Sequence, residues 1–130
     1  MNIIICGAGR VGFTIAKQLS EQGHSITVID PSSEDIQKID DALDVKAIVG
    51  KGSYPSILEK ASAQEADMII AVTRNDEINM VICQIAFSIF KIPKKIARIR
   101  SQDYLNPKFT TVYNKENLPI DVIISPEIEI

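Results

Sequence analysis

A chain of 130 residues fits one domain, long enough to bury a core without disulfides or a structural metal. Fourteen Lys and Arg against seventeen Asp and Glu leave a net charge of −3, which excludes the basic field that nucleic acid or an anionic lipid surface would require. No stretch approaches the roughly 18 consecutive apolar residues of a membrane span, and the chain enters a strand pattern without a secretory leader, so a soluble cytoplasmic protein is expected.

The first element is the apolar run Ile3-Ile4-Ile5-Cys6, which leads into Gly7-Ala8-Gly9-Arg10-Val11-Gly12. That G-x-G-x-x-G opens a helical pattern and is followed by Ser25-Ile26-Thr27-Val28-Ile29-Asp30, giving strand, glycine turn, helix, strand and terminal acid in the order of a dinucleotide-binding unit. Gly7 permits the tight turn, Gly9 lets the backbone approach a pyrophosphate, and Gly12 lets the helix lie close on the strands. The helix N-terminus offers N–H groups and partial positive charge to phosphates. Asp30, 18 positions after Gly12, stands where its carboxylate can accept from two ribose hydroxyls, and a 2′-phosphate there would meet a like charge.

Val11, Ile15, Ala16 and Leu19 form the buried stripe of the first helix, which Gln22-Gly23 ends. His24 sits in the next turn as a surface residue. Pro31 breaks the second strand, and Ser32-Ser33-Glu34-Asp35 starts a helix whose inner face is Ile36, Ile39 and Leu43. Val45 to Val49 is a third strand, and Ser53 to Ala61 a short helix with Pro55 near its start. Asp67 to Val72 is a nearly continuous apolar run, the mark of a central parallel strand. Its carboxyl end, Thr73-Arg74-Asn75-Asp76, falls across from the glycine turn, so Thr73 and Arg74 are ligand candidates. Asn75, Asp76 and Glu77 are read equally as a helix cap with dipole-matching acids.

The helix from Asp76 to about Phe90 carries two apolar stripes. Ile78, Val81, Ile82, Ile85 and Ile89 are expected against the sheet; Met80, Cys83, Phe87 and Phe90 lie opposite and need cover, from a later helix or, as favoured here, from another subunit or domain. Cys6 and Cys83 belong to no C-x-x-C pair and read as small core or interface hydrophobes. Lys95 to Arg100 alternates as a fifth strand, with Arg98 able to reach the nucleotide side of the sheet or to remain a solvated edge charge. Gln102 to Leu118 reads as a loop holding at most a short helix near Phe109 to Asn114, and Ile120 to Ile124 as a last strand. Ser125-Pro126-Glu127 looks like the cap of a further helix, so the chain is expected to be a fragment of a longer protein. The whole reads as a Rossmann-like, doubly wound parallel sheet of six strands in the order 3-2-1-4-5-6, one domain over residues 1–130.

Three segments carry a family resemblance: the opening residues 1–30, Val49-Gly50-Lys51-Gly52-Ser53, and above all Ala71-Val72-Thr73-Arg74-Asn75-Asp76-Glu77-Ile78-Asn79-Met80. With them the chain resembles the nucleotide-binding TrkA N-terminal domain, also called the KTN or RCK domain, of bacterial potassium uptake systems. The resemblance implies a cytosolic regulatory subunit, not an enzyme, that binds NAD or NADH, alternatively ATP or ADP, and gates a membrane potassium-transporter subunit from the inner face of the plasma membrane. It places the nucleotide contacts on Gly7, Ala8, Gly9, Arg10, Val11, Asp30, Thr73, Arg74 and Arg98, and implies a homo-oligomer through the helix carrying Met80, Cys83, Phe87 and Phe90. Lys51 departs from the small polar or acidic residue the family often has there, and Arg74 is variable. The competing reading is the cofactor-binding domain of an NAD-dependent dehydrogenase, against which stands the lack of a substrate domain and of a placed proton donor.

Overall fold

A computed structural model of the chain describes residues 1–125. Its core is a six-stranded, fully parallel sheet in the order β3-β2-β1-β4-β5-β6. The strands are β1 (Asn2–Cys6), β2 (Ser25–Asp30), β3 (Lys46–Val49), β4 (Met68–Ala71), β5 (Lys94–Arg98) and β6 (Val122–Ile124). The helices are α1 (Arg10–Glu21), α2 (Ser33–Ala42), α3 (Pro55–Lys60), α4 (Asp76–Ser88) and α5 (Gln102–Leu105). The expected order of strands is thus the observed one. Among the described residues no helix is long and apolar enough to cross a membrane. The expected helix cap at Ser125-Pro126-Glu127 runs beyond the described residues.

Both faces of the sheet are buried, because β1 and β4 are apolar from Ile3 to Cys6 and from Met68 to Ala71 and successive side chains alternate between the two layers. Ile3 and Ile5 of β1 join Val28, Ile70, Ala16, Ile36 and Ile39 beneath α1 and α2. Ile4 and Cys6 join Ile69, Ala71, Leu58, Ile82 and Ala86 beneath α3 and α4. At the far edge, Lys95 is 4 % exposed and directs its ammonium to the carbonyls of Ile92 and Pro93 and to Asp121, 3.1 Å away. Asp121 also accepts from the Lys95 backbone N–H and donates its own N–H to the Lys95 carbonyl, which stitches β6 to β5.

One element lies differently from its expected orientation. The sheet-facing line of α4 is Asn79, Ile82, Cys83 and Ala86, each fully buried, and it runs between the two apolar stripes. Ile78, Val81 and Ile89, expected against the sheet, form an exposed shoulder at 41 %, 46 % and 56 % exposure. Met80 and Phe90, expected to meet a partner, pack on the domain's own core as the opposite shoulder. Cys83, fully buried, donates weakly to the Ile96 carbonyl and contributes nothing to a surface. The reason is Asn79: its amide bonds to the ends of two strands, and the small Ala86 lets the helix approach at that rotation. Glu77 and Ser88 crest the outer ridge as exposed residues.

β5 also ends earlier than its alternation suggests. Ile99 follows it fully buried, with its N–H on the Ile124 carbonyl, while Arg100 turns away from the sheet.

Candidate functional site

The carboxyl ends of β1, β2, β4 and β5 surround a cleft of about 800 Å³. Its floor is the glycine turn between β1 and α1. Gly7 adopts φ +124°, and a Cβ there would stand 2.8 Å from the Val72 carbonyl oxygen, so only glycine serves. Gly12 packs its α-carbon on the Gly7 carbonyl with no room for a methyl group, which seats α1 on the turn. Gly9 is different: its backbone is extended, and a Cβ would meet nothing within 4 Å. The chain itself has no need of glycine there. An added methyl group would instead fill space in the cleft that Gly9 lines, as expected where a ligand's backbone-bound group must approach closely.

The same turn explains how α1 begins. Ser32 and Asn75 cap α2 and α4 with side-chain oxygens, accepting from Asp35 N–H and Ile78 N–H. Gly9, at the same position of α1, has no side chain to offer, which leaves the first N–H groups of a twelve-residue helix facing the cleft.

Asp30 closes the floor on the β2 side. One carboxylate oxygen accepts from Ala8 N–H at 2.8 Å and the other from Ser32 N–H at 2.7 Å. A carboxylate has about four lone-pair directions, so two remain for a ligand's hydroxyls. The Asp30 carbonyl accepts from Gly50 N–H, and this draws the loop after β3 against the cleft. Gly52 sits there on Cys6, and the Lys51 ammonium lies 5.4 Å from the centre of the Tyr54 ring.

On the opposite wall, the Thr73 hydroxyl and Thr73 N–H both donate to the Asn79 side-chain oxygen, at 2.7 and 3.0 Å. The hydroxyl also lies 3.2 Å from the Asn75 carbonyl, a longer contact than that to Asn79, and its oxygen accepts from Asn75 N–H at 3.2 Å, so Thr73 faces a ligand as an acceptor with its one remaining lone pair. The loop beyond it is held by Asp76, whose carboxylate accepts from Arg100 N–H and Ser101 N–H, and by the Arg100 guanidinium, which donates to the Arg74 carbonyl at 2.7 Å. Of the three residues left open between ligand and cap, Asn75 caps α4 and Asp76 braces the loop after β5.

Seven of the nine expected contact residues, Gly9, Arg10, Val11, Asp30, Thr73, Arg74 and Arg98, line this one cleft. Gly7 and Ala8 lie beneath it, their N–H groups taken by the Ile29 carbonyl and by Asp30. Tyr54, Asp35 and Ile78 also line it, none of them expected as contacts, and so does Asn75, the cap of α4. Four cations, Arg10, Lys51, Arg74 and Arg98, oppose two carboxylates, Asp30 and Asp35, so a chain of net charge −3 presents a locally positive cleft. By its polarity alone Asn79 reads as an edge between the two apolar stripes of α4. Its spacing to Ile82, Cys83 and Ala86, at i+3, i+4 and i+7, already placed it on one face with small and apolar residues.

The model of the TrkA-N domain family matches residues 3–126. A Trk system potassium uptake protein TrkA of Azorhizobium caulinodans is 48% identical over 130 residues, covering 100% of this chain and 28% of that protein. The chain thus spans little more than a quarter of the length of that relative. Among solved structures, the TrkA-N domain of the inner membrane protein YbaL from Escherichia coli superimposes with a TM-score of 0.83 at 20% identity, over 98% of this chain and 89% of that one. The GsuK channel bound to NAD does so with a TM-score of 0.76 at 16% identity, over 95% of this chain and 21% of that one.

Proposed function

From the premise that this chain belongs to the TrkA-N domain family, we propose that it is the nucleotide-binding part of a regulatory subunit of a potassium uptake system. Its ligand is NAD or NADH, alternatively ATP or ADP. The observation that carries the reading is Gly9, a glycine the fold does not need, at the mouth of an uncapped helix in a locally positive cleft. A pyrophosphate fits that place: it requires close backbone approach, N–H donors and positive charge.

In this reading the N–H groups of Arg10 and Val11, past Gly9, would hold the phosphates, on the turn that Gly7 and Ala8 build. Asp30 would accept from the ribose hydroxyls with its remaining lone pairs, and Lys51 and Tyr54 would wall the adenosine end. Thr73 would accept a ligand hydroxyl or amide, and Arg74 and Arg98 would add charge on the far wall. The protein acts as a regulator rather than an enzyme: a nucleotide that binds two arrangements of an assembly unequally shifts their populations by that difference in affinity. The assembly is a homo-oligomer, and its contact is the exposed shoulder Ile78, Val81 and Ile89 in place of Met80, Cys83, Phe87 and Phe90. The membrane potassium-transporter subunit is the partner through which the protein reaches the inner face of the membrane.

Thermal unfolding with NADH, NAD, ADP, ATP and NADPH tests the site. A nucleotide at 100 times its dissociation constant adds about 2.7 kcal/mol, a clear rise in midpoint. The expected pattern is a rise with NADH or ATP, little with NADPH, and loss of the rise in Asp30→Ala. The site reading fails if none of the five moves the midpoint.

A further inference from the structure

Asn79 is fully buried on the sheet side of α4, among Ile82, Cys83 and Ala86. An amide in such a place is costly unless every polar atom is bonded, and an apolar side chain of similar shape would serve packing alone. All four of its hydrogen-bonding sites are used. The oxygen accepts from Thr73 N–H at 3.0 Å and from the Thr73 hydroxyl at 2.7 Å. The nitrogen donates to the Thr73 carbonyl at 3.1 Å and to the Arg98 carbonyl at 2.8 Å. Because Thr73 N–H is a donor, the oxygen of the amide must face it, so the network itself fixes which way the amide points.

Thr73 and Arg98 lie at the carboxyl ends of neighbouring strands, and both line the cleft. We infer that Asn79 is a positioning residue for the nucleotide site: one buried amide sets the backbone of Thr73 and Arg98 together and makes the Thr73 hydroxyl an acceptor toward the ligand. The inference rests on the nucleotide-binding reading above. It also ties the site to α4, whose adjacent Ile78 both lines the cleft and begins the exposed shoulder. With Asp76 on the loop after β5 and Ile78 in the cleft wall, this amide links a change of ligand at the strand ends to that helix.

The test is calorimetric titration of NADH and ADP into this chain, Asn79→Leu, Asn79→Asp and, as a packing control on the same buried face, Ile82→Val. Circular dichroism establishes folding of each. Both Asn79 variants are expected to bind about tenfold or more weakly, the scale of one lost hydrogen bond to a charged or well-placed group, while Ile82→Val keeps the parent affinity. Arg98→Ala is expected to weaken binding far less in the Asn79→Leu background than in the parent chain, a coupling that a purely structural role would not produce. Asn79→Asp keeps the size and the acceptors toward Thr73, and it carries the test if Asn79→Leu does not fold. Parent affinity in a folded Asn79 variant, or an undiminished effect of Arg98→Ala, overturns the inference and leaves the nucleotide site standing. A parent chain that titrates with neither nucleotide overturns both.

Discussion

Three glycines in one turn have three different physical roles, and substitution separates them. Gly9→Ala meets no atom of the chain and keeps an extended backbone that alanine accepts, so stability should stay within about 0.5 kcal/mol of the parent. Nucleotide affinity should nevertheless fall, because the methyl group occupies the approach to the backbone. Gly12→Ala drives a methyl group into the Gly7 carbonyl and should cost about 1–3 kcal/mol or more in urea unfolding, whatever its effect on binding. If Gly9→Ala binds NADH and ADP as the parent does, the glycine serves something other than a ligand. At this scale the glycines and Asp30 were legible in the sequence, because a turn motif acts through neighbours close along the chain. Asn79 was not: a polar residue on a helix reads as an outer edge until the strand carbonyls that bond it are placed beside it.

At the scale of elements, α4 decides what the surface offers. Periodicity correctly showed a helix apolar on more than one side, yet misplaced its rotation, since a wide apolar arc has no single moment to orient it. Tertiary contacts chose the rotation, with Asn79 and Ala86 toward the sheet and the Ile78–Val81–Ile89 shoulder outward. Val81→Asp, at a position 46 % exposed, should therefore leave the fold intact and move an assembled protein toward monomer in sedimentation. Phe87→Asp falls on the opposite shoulder, beneath the ammonium groups of Lys91 and Lys95, and should leave assembly unchanged. The reverse result, with Phe87→Asp alone dissociating the protein, would return the contact to the other shoulder.

Across the whole molecule the two thiols report on how dry the interior is. Burial pushes the Cys6 thiol far up, reinforced by Cys83 and Asp30. It pushes Cys83 up to about 12, which nearby Lys95 partly offsets. In the unfolded chain both ionise near the ordinary thiol value of about 9, so their contribution is full below that pH and is lost as the pH rises toward 12. Each pH unit in that window costs on the order of 1 kcal/mol per thiol. Urea midpoints should thus fall more steeply between pH 9 and about 10.5 in the parent than in the Cys6→Ala, Cys83→Ala double variant, itself less stable at pH 8. Equal slopes would mean that the thiols are not held neutral by the fold.

What the sequence by itself determined is the class of fold, the strand order and the part of the cleft formed by the glycine turn, Asp30 and the ends of β4 and β5. Continuous apolar strands alternating with helices admit few arrangements, and ligands gather where the order of a parallel sheet reverses, so motif residues at the strand ends must converge. What only the tertiary structure decided is how those residues are held. The rotation of α4, the bracing of the 73–76 loop by Arg100 and Asp76, and the saturation of Asn79 depend on groups that lie far apart in the chain. Such pairings leave no local pattern, because a buried polar group is placed by partners that only folding brings within reach.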